Sequence, residues 1–212
     1  MNSKTKKLVM SAMLIAVATI LSIFQPLQLP FGGGITIASM APIILISFIY
    51  GLRWGFFSAF VFSVVQMLLG AKTVAAFFLP GENQMVLWMA LCVCFIDYIL
   101  AYSVLGLGGI FKNKFKSRKT EIALGSVVAL LTRYAMHTIS GALFFGSWAE
   151  WFFSQEGFYK IGSVILEKFS GNLLAFIYSL FYNGTYMIPE IIITSVAVPL
   201  IYTVLKNNKM TE

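Results

Sequence analysis

Between Met85 and Leu107 the chain runs almost unbroken through apolar residues, and one carboxylate, Asp97, falls near the middle of that run. About 20 predominantly apolar residues match the hydrocarbon thickness of a bilayer, and a helix satisfies all its backbone polar groups internally there. The run is therefore read as a transmembrane helix. The rest of the chain follows suit: 59% of residues are hydrophobic and 11% charged, with a mean hydropathy of +0.86. A soluble domain is about half apolar and about a quarter charged.

Six apolar stretches stand out, at about 8–25, 36–51, 55–70, 86–107, 122–147 and 174–205. They predict an all-α integral membrane bundle of six transmembrane helices. The 212 residues form one membrane-embedded domain, 1–212, with no room for a separate soluble one. Met1 to Leu21 resembles a secretory signal, with Lys4, Lys6 and Lys7 before an apolar run. That run continues to about Phe24 and further spans follow, so it is read as a retained first helix. The second and third stretches are short and joined by Gly51–Leu52–Arg53–Trp54–Gly55, which predicts a helical hairpin. The sixth is long enough to tilt or to extend past the bilayer.

Lys and Arg set the orientation. With the N-terminus inside, one side holds Lys4, Lys6, Lys7, Arg53, Lys112, Lys114, Lys116, Arg118, Lys119, Lys206 and Lys209, and the other only Lys72, Lys160 and Lys168. This imbalance predicts cytoplasmic N and C termini in a multi-pass protein of the cell membrane. The net charge of +7 is gathered in short loops and tails, which suits anionic lipid headgroups and topology better than nucleic acid. Cys92 and Cys94 share one span and diverge on a helix, so they read as apolar filler. In the first outer loop, Pro26, Pro30 and the triplet Gly32–Gly33–Gly34 fit either close approach to a ligand or a plain flexible turn. The 148–173 loop mixes aromatics and charges and reads as an interfacial helix, or as a lid.

Ionisable residues at bilayer depth are costly and mark internal polar sites. Asp97 has company in Arg133, His137 and Glu190. Arg133 and His137 are four apart and share a helix face, with Tyr134 and Ser140 beside it; Arg133 is expected to bridge to Asp97 or Glu190. Asn183, near Tyr178, Tyr182 and Tyr186, offers a donor and an acceptor suited to a heteroaromatic ring edge. The tyrosines equally fit an aromatic belt. One histidine without a zinc-type motif excludes a usual metal site. Gly70–Ala71–Lys72–Thr73 lacks the glycine spacing of a phosphate loop. Ser140 has no nucleophile-elbow frame. No enzyme, cofactor or internal repeat is expected. Ala12 and Ala16 form a small-xxx-small pair on the first helix, either an ordinary packing face or a docking face.

Four blocks of sequence resemble a known family. They are Leu29–Pro30–Phe31–Gly32–Gly33–Gly34–Ile35–Thr36 leading to Met40–Ala41–Pro42–Ile43; Asp97–Tyr98–Ile99–Leu100–Ala101–Tyr102; Arg133 through Gly141; and Tyr178 through Gly184. In this order they are similar to the thiamine-specific S components of energy-coupling factor (ECF) transporters. The resemblance implies a six-helix subunit that binds thiamine from outside and has no ATPase of its own. It implies Asp97, Tyr98, His137, Tyr178 and Asn183 as ligand contacts, with Phe145 at the stacking position eight residues after the histidine. A first-loop tryptophan of some members has no counterpart here, which leaves Trp148 or Trp88 to supply stacking. The resemblance also assigns Ala12 and Ala16 to docking on a transmembrane coupling protein that carries two cytoplasmic ATPase subunits. A permanent thiazolium charge suits aromatic faces and a carboxylate. Rival readings are an S component for another vitamin, such as riboflavin or a pyridoxine-like compound, and a proton-coupled secondary carrier using Asp97, Glu190 and His137.

Overall fold

The computed structural model describes residues 3–29 and 33–208, the side chains of Ser3 and Tyr159 excepted. Pro30, Phe31 and Gly32 of the first outer loop, and Lys209 among the inner cations, lie outside the described residues. Among the described residues, five helices are long and apolar enough to cross a membrane. The first is α1 (Ser3–Ile23). A two-residue antiparallel pairing follows, β1 (Leu27–Gln28) with β2 (Gly34–Ile35), a small departure from the all-α expectation.

Next comes α2 (Ala41–Tyr50), which is short, with Pro42 in its first turn, where a missing N–H costs nothing. Its ten residues span only about 15 Å, half the hydrocarbon thickness. Ile43, Ile44, Leu45 and Ile46 are all fully buried, so this helix is apolar on every side because protein surrounds it. It meets α3 (Leu52–Leu69) at Gly51, forming the expected hairpin. Ser47 ties α2 to a later turn: its Oγ donates to the Gly106 carbonyl at 2.5 Å and accepts the Gly109 N–H at 3.0 Å.

Past α4 (Ala71–Phe78), the Asp97 segment forms one continuous span, Leu87–Gly109. It begins as α5 (Leu87–Val93), passes through a π-helical stretch at Cys94–Leu100 and α6 (Ala101–Ser103), and ends as a 3₁₀ turn at Val104–Gly109. Both cysteines are free thiols. The basic loop then leads into α7 (Arg118–Phe144), capped at its start by the Ser117 side chain, which accepts from the Thr120 N–H.

The 148–173 region folds as α8 (Ala149–Phe153), a 3₁₀ turn at Glu156–Phe158 and α9 (Tyr159–Lys168). It is more than a surface strap. Phe152 and Phe153 are buried, and the Phe152 ring lies 5.4 Å from Tyr178 and 5.8 Å from Tyr182. Last, α10 (Gly171–Asn207) runs 37 residues through Pro189 and Pro199, about 55 Å, and packs most extensively against α7.

Candidate functional site

At the end of the bundle that carries the β1–β2 hairpin and the 70–86 loop, the helix ends enclose a cavity of about 140 Å³, room for on the order of ten waters. Its wall draws on α1, α3, α4, α7, α10, the hairpin and the π-helical stretch.

The π stretch explains how Asp97 and Tyr98 both reach this wall. Val93, Asp97, Tyr98 and Tyr102 all line the cavity. Residues 93 and 97 follow α spacing, as do 98 and 102. A regular helix would turn residues 93 and 98 about 140° apart, whereas a π turn joins i to i+5 and stacks them on one face.

Opposite stands α7. Asp97 Oδ1 lies 2.8 Å from His137 Nδ1, and Asp97 Oδ2 accepts the Ser140 hydroxyl at 2.5 Å. Arg133 Nε donates to His137 Nε2 at 3.2 Å. Arginine has only donors, so Nε2 carries the lone pair and Nδ1 the proton, which it gives to the carboxylate. His137 is thus held as one neutral tautomer. The side chains of His137 and Asp97 remain 11% and 19% exposed, on the cavity side. Ser140, by contrast, is fully buried with its proton committed.

Arg133 corrects an expectation. Among the described residues it forms no ion pair with Asp97 or Glu190. It reaches Asp97 only through His137, while its guanidinium lies 3.9 Å over the Tyr102 ring and Nη1 donates to Met40 Sδ at 2.6 Å. The flat guanidinium face suits the ring.

Asn183 is more committed than expected. Its Nδ2 donates to the Ser179 carbonyl at 2.8 Å and lies 3.2 Å from the His137 carbonyl, and its Oδ1 accepts the Tyr186 hydroxyl at 2.6 Å. One Oδ1 lone pair is left over. Tyr178 and Phe145 line the cavity as well, Phe145 edge-on to Phe77 at 6.2 Å. Trp148 does not line it; its ring lies 6.0 Å from Trp151. Trp88 is 58% exposed against Phe144, also off the wall.

The glycine triplet is where backbone must come close. A Cβ on Gly33 would stand 2.6 Å from the Tyr186 ring. Just beyond, Glu190 accepts from both the backbone N–H and the Oγ1 of Thr36, which pins the hairpin to α10. On the other flank, Gln66 Nε2 donates to Ser22 Oγ at 2.8 Å.

A model of the thiamine transporter protein (Thia_YuaJ) family matches residues 8–155. The chain belongs to this family. It is 30% identical over 207 residues to the thiamine transporter ThiT of Bacillus subtilis (strain 168), an overlap that covers 92% of this chain and 90% of that protein. Its fold matches the solved structure of ThiT from Listeria monocytogenes with a TM-score of 0.68, over 99% of both chains and at 19% identity.

The thiamine transporter family match holds three of the four resemblance blocks; Tyr178 to Gly184 lies beyond it. Sequence reasoning missed Ser22, Gln25, Gln66, Ser39 and Tyr102 on the wall. Gln66 had a signal, an amide inside the apolar 55–70 stretch, but a neutral amide barely moves a hydropathy average.

Ala12 and Ala16 are both exposed on α1, whereas Ser11, Leu14 and Ala18 face the core. Among the described residues, the small pair is not packed against the rest of the bundle.

Proposed function

We propose that this chain binds thiamine in the Asp97–His137 cavity, as the capture subunit of an ATP-driven vitamin uptake system. The observation that carries the reading is the ordered Asp97–His137–Arg133 chain on a cavity wall otherwise built largely of aromatic and neutral polar side chains. Asp97 keeps lone pairs for the exocyclic amine of an aminopyrimidine. Tyr98, Phe145 and Tyr178 offer π faces to a thiazolium cation, worth about 0.5–2 kcal/mol each where desolvated. A neutral His137 adds no repulsion to a cationic ligand. Asn183 contributes its remaining Oδ1 lone pair and holds Tyr186 in place.

In this reading α2 and the residues before it complete a sixth crossing, both termini are cytoplasmic, and the cavity faces outward in the cell membrane. The excess of Lys and Arg at the opposite end supports that orientation. The exposed Ala12–Ala16 strip supports docking on a transmembrane coupling protein with two cytoplasmic ATPase subunits, since small residues let helices approach closely. The chain itself performs no catalysis.

The test is calorimetric titration of the detergent-solubilised protein with thiamine, because no tryptophan among the described residues lines the cavity. Saturable binding, weakened in Asp97→Asn, is the expected result. A response to riboflavin or a pyridoxine-like compound but not to thiamine would overturn the ligand.

A further inference from the structure

The cavity wall carries three charged side chains among the described residues, Asp97, Arg133 and Glu190. Two of them are accounted for. The Asp97 carboxylate receives the His137 N–H and the Ser140 hydroxyl, and through His137 it is linked to the Arg133 guanidinium. Glu190 is different. It is 1% exposed, and no cation lies within ion-pair distance of it among the described residues. Its Oε1 takes both Thr36 donors, and its Oε2 is buried without a hydrogen bond, near the Thr194 hydroxyl, which likewise makes none.

A buried carboxylate oxygen left without a partner costs free energy. With both carboxylates ionised, two against one guanidinium leave the cavity with one uncompensated negative charge. A flat neutral ring would leave that cost standing, an anion would add to it, and a monovalent cation would offset it. Resting on the thiamine reading above, we infer that Glu190 is the residue that makes this cavity select a permanently cationic ring over a neutral ring of the same shape. Asp97, with both oxygens taking hydrogen bonds from the protein, fixes ligand orientation; Glu190 sets the charge that the cavity accepts. The Thr36 contact is a separate duty of the same side chain, holding the hairpin while Oε2 stays unpaired.

The experiment compares thiamine with a neutral isostere whose quaternary ring nitrogen is replaced by carbon, and reads the ratio of the two Kd values by calorimetry. Glu190→Gln keeps the size and the acceptor for Thr36 but removes the charge; the ratio is expected to shrink by about tenfold, mainly through weaker thiamine binding. Glu190→Asp keeps the charge, and Thr36→Val removes a hairpin contact without touching it. Both are expected to preserve the wild-type ratio even where both affinities fall. Arg133→Gln removes the offsetting charge and is expected to widen the ratio.

Equal weakening of both ligands in Glu190→Gln would overturn the inference and leave a structural role. So would a ratio in Thr36→Val that falls as far as in Glu190→Gln. Should Glu190→Gln fail to fold, an unchanged ratio in Arg133→Gln overturns it independently. A wild-type protein that binds neither ligand overturns the thiamine reading itself; a wild type that binds thiamine, with an unaltered ratio across the variants, overturns only the role of Glu190.

Discussion

Gly33 stands where the Tyr186 ring leaves no space for a side chain: a Cβ there would come within 2.6 Å of the ring. Tyr186 cannot readily retreat, because its hydroxyl is held by Asn183 at 2.6 Å and its ring lies edge-on to His137 at 6.1 Å. Gly33→Val therefore strains the hairpin and the aromatic wall together. Overpacking of this kind costs about 1–3 kcal/mol. The expected outcome is a lowered thermal midpoint and thiamine affinity down by roughly tenfold for each 1.4 kcal/mol felt at the site, measured by melting in detergent and by calorimetry. Unchanged affinity would mean that the hairpin does not shape the ligand surface.

Asp97→Asn replaces an acceptor-only group with an amide. One of its ends must then present an N–H to His137 Nδ1–H or to the Ser140 hydroxyl, which breaks the ordering of the tautomer. Hydrogen bonds to charged groups contribute about 1.5–3 kcal/mol, so thiamine affinity is expected to fall by roughly 10- to 100-fold. Calorimetry on the purified variant checks this, with its melting curve as a control for folding.

Ala12→Trp puts a large ring on a strip of α1 that is exposed. Thiamine binding by the isolated protein is expected to stay at the wild-type level, while uptake into cells that hold the partner subunits is abolished. Parallel loss of binding and uptake would argue against a docking face.

Gly125 faces the Gly108 carbonyl so closely that a Cβ would overlap it. This contact seats α7 on the 3₁₀ turn, at the end of the bundle remote from the cavity. Gly125→Val is expected to destabilise the fold by about 1–3 kcal/mol or more, seen as a lower thermal midpoint. Whatever fraction folds should bind thiamine normally.

The parts of the site legible in the sequence were the electrically conspicuous ones. Asp97, Arg133 and His137 stood out because a charge in an apolar run has few innocent explanations, and the i, i+4 spacing put the last two on one face. The long final helix was visible as well, because surrounding helices and packing tolerate Pro189 and Pro199 in a membrane setting. Other features depend on contacts that no local pattern encodes. Thr36 and Glu190 are 154 residues apart, and only the packing of the hairpin on α10 brings them together. The expected Arg133 bridge failed for a similar reason: an aromatic face and His137 took the guanidinium before a carboxylate reached it. Trp148 looked available by composition, yet its place in a short turn directs it to Trp151.

The π-helical stretch has a consequence for anyone transplanting this pocket. Asp97 and Tyr98 share a wall only because one surplus residue lies in the turn between Val93 and Tyr98. Winding Cys94–Leu100 as a uniform α-helix with every residue kept would leave Val93 about 140° away from Tyr98 and pull the two halves of the wall apart. A designed binder that copies the side chains onto an ideal helix would have every chemical group and the wrong pocket. What must be inherited along with the residues is the irregularity in the backbone.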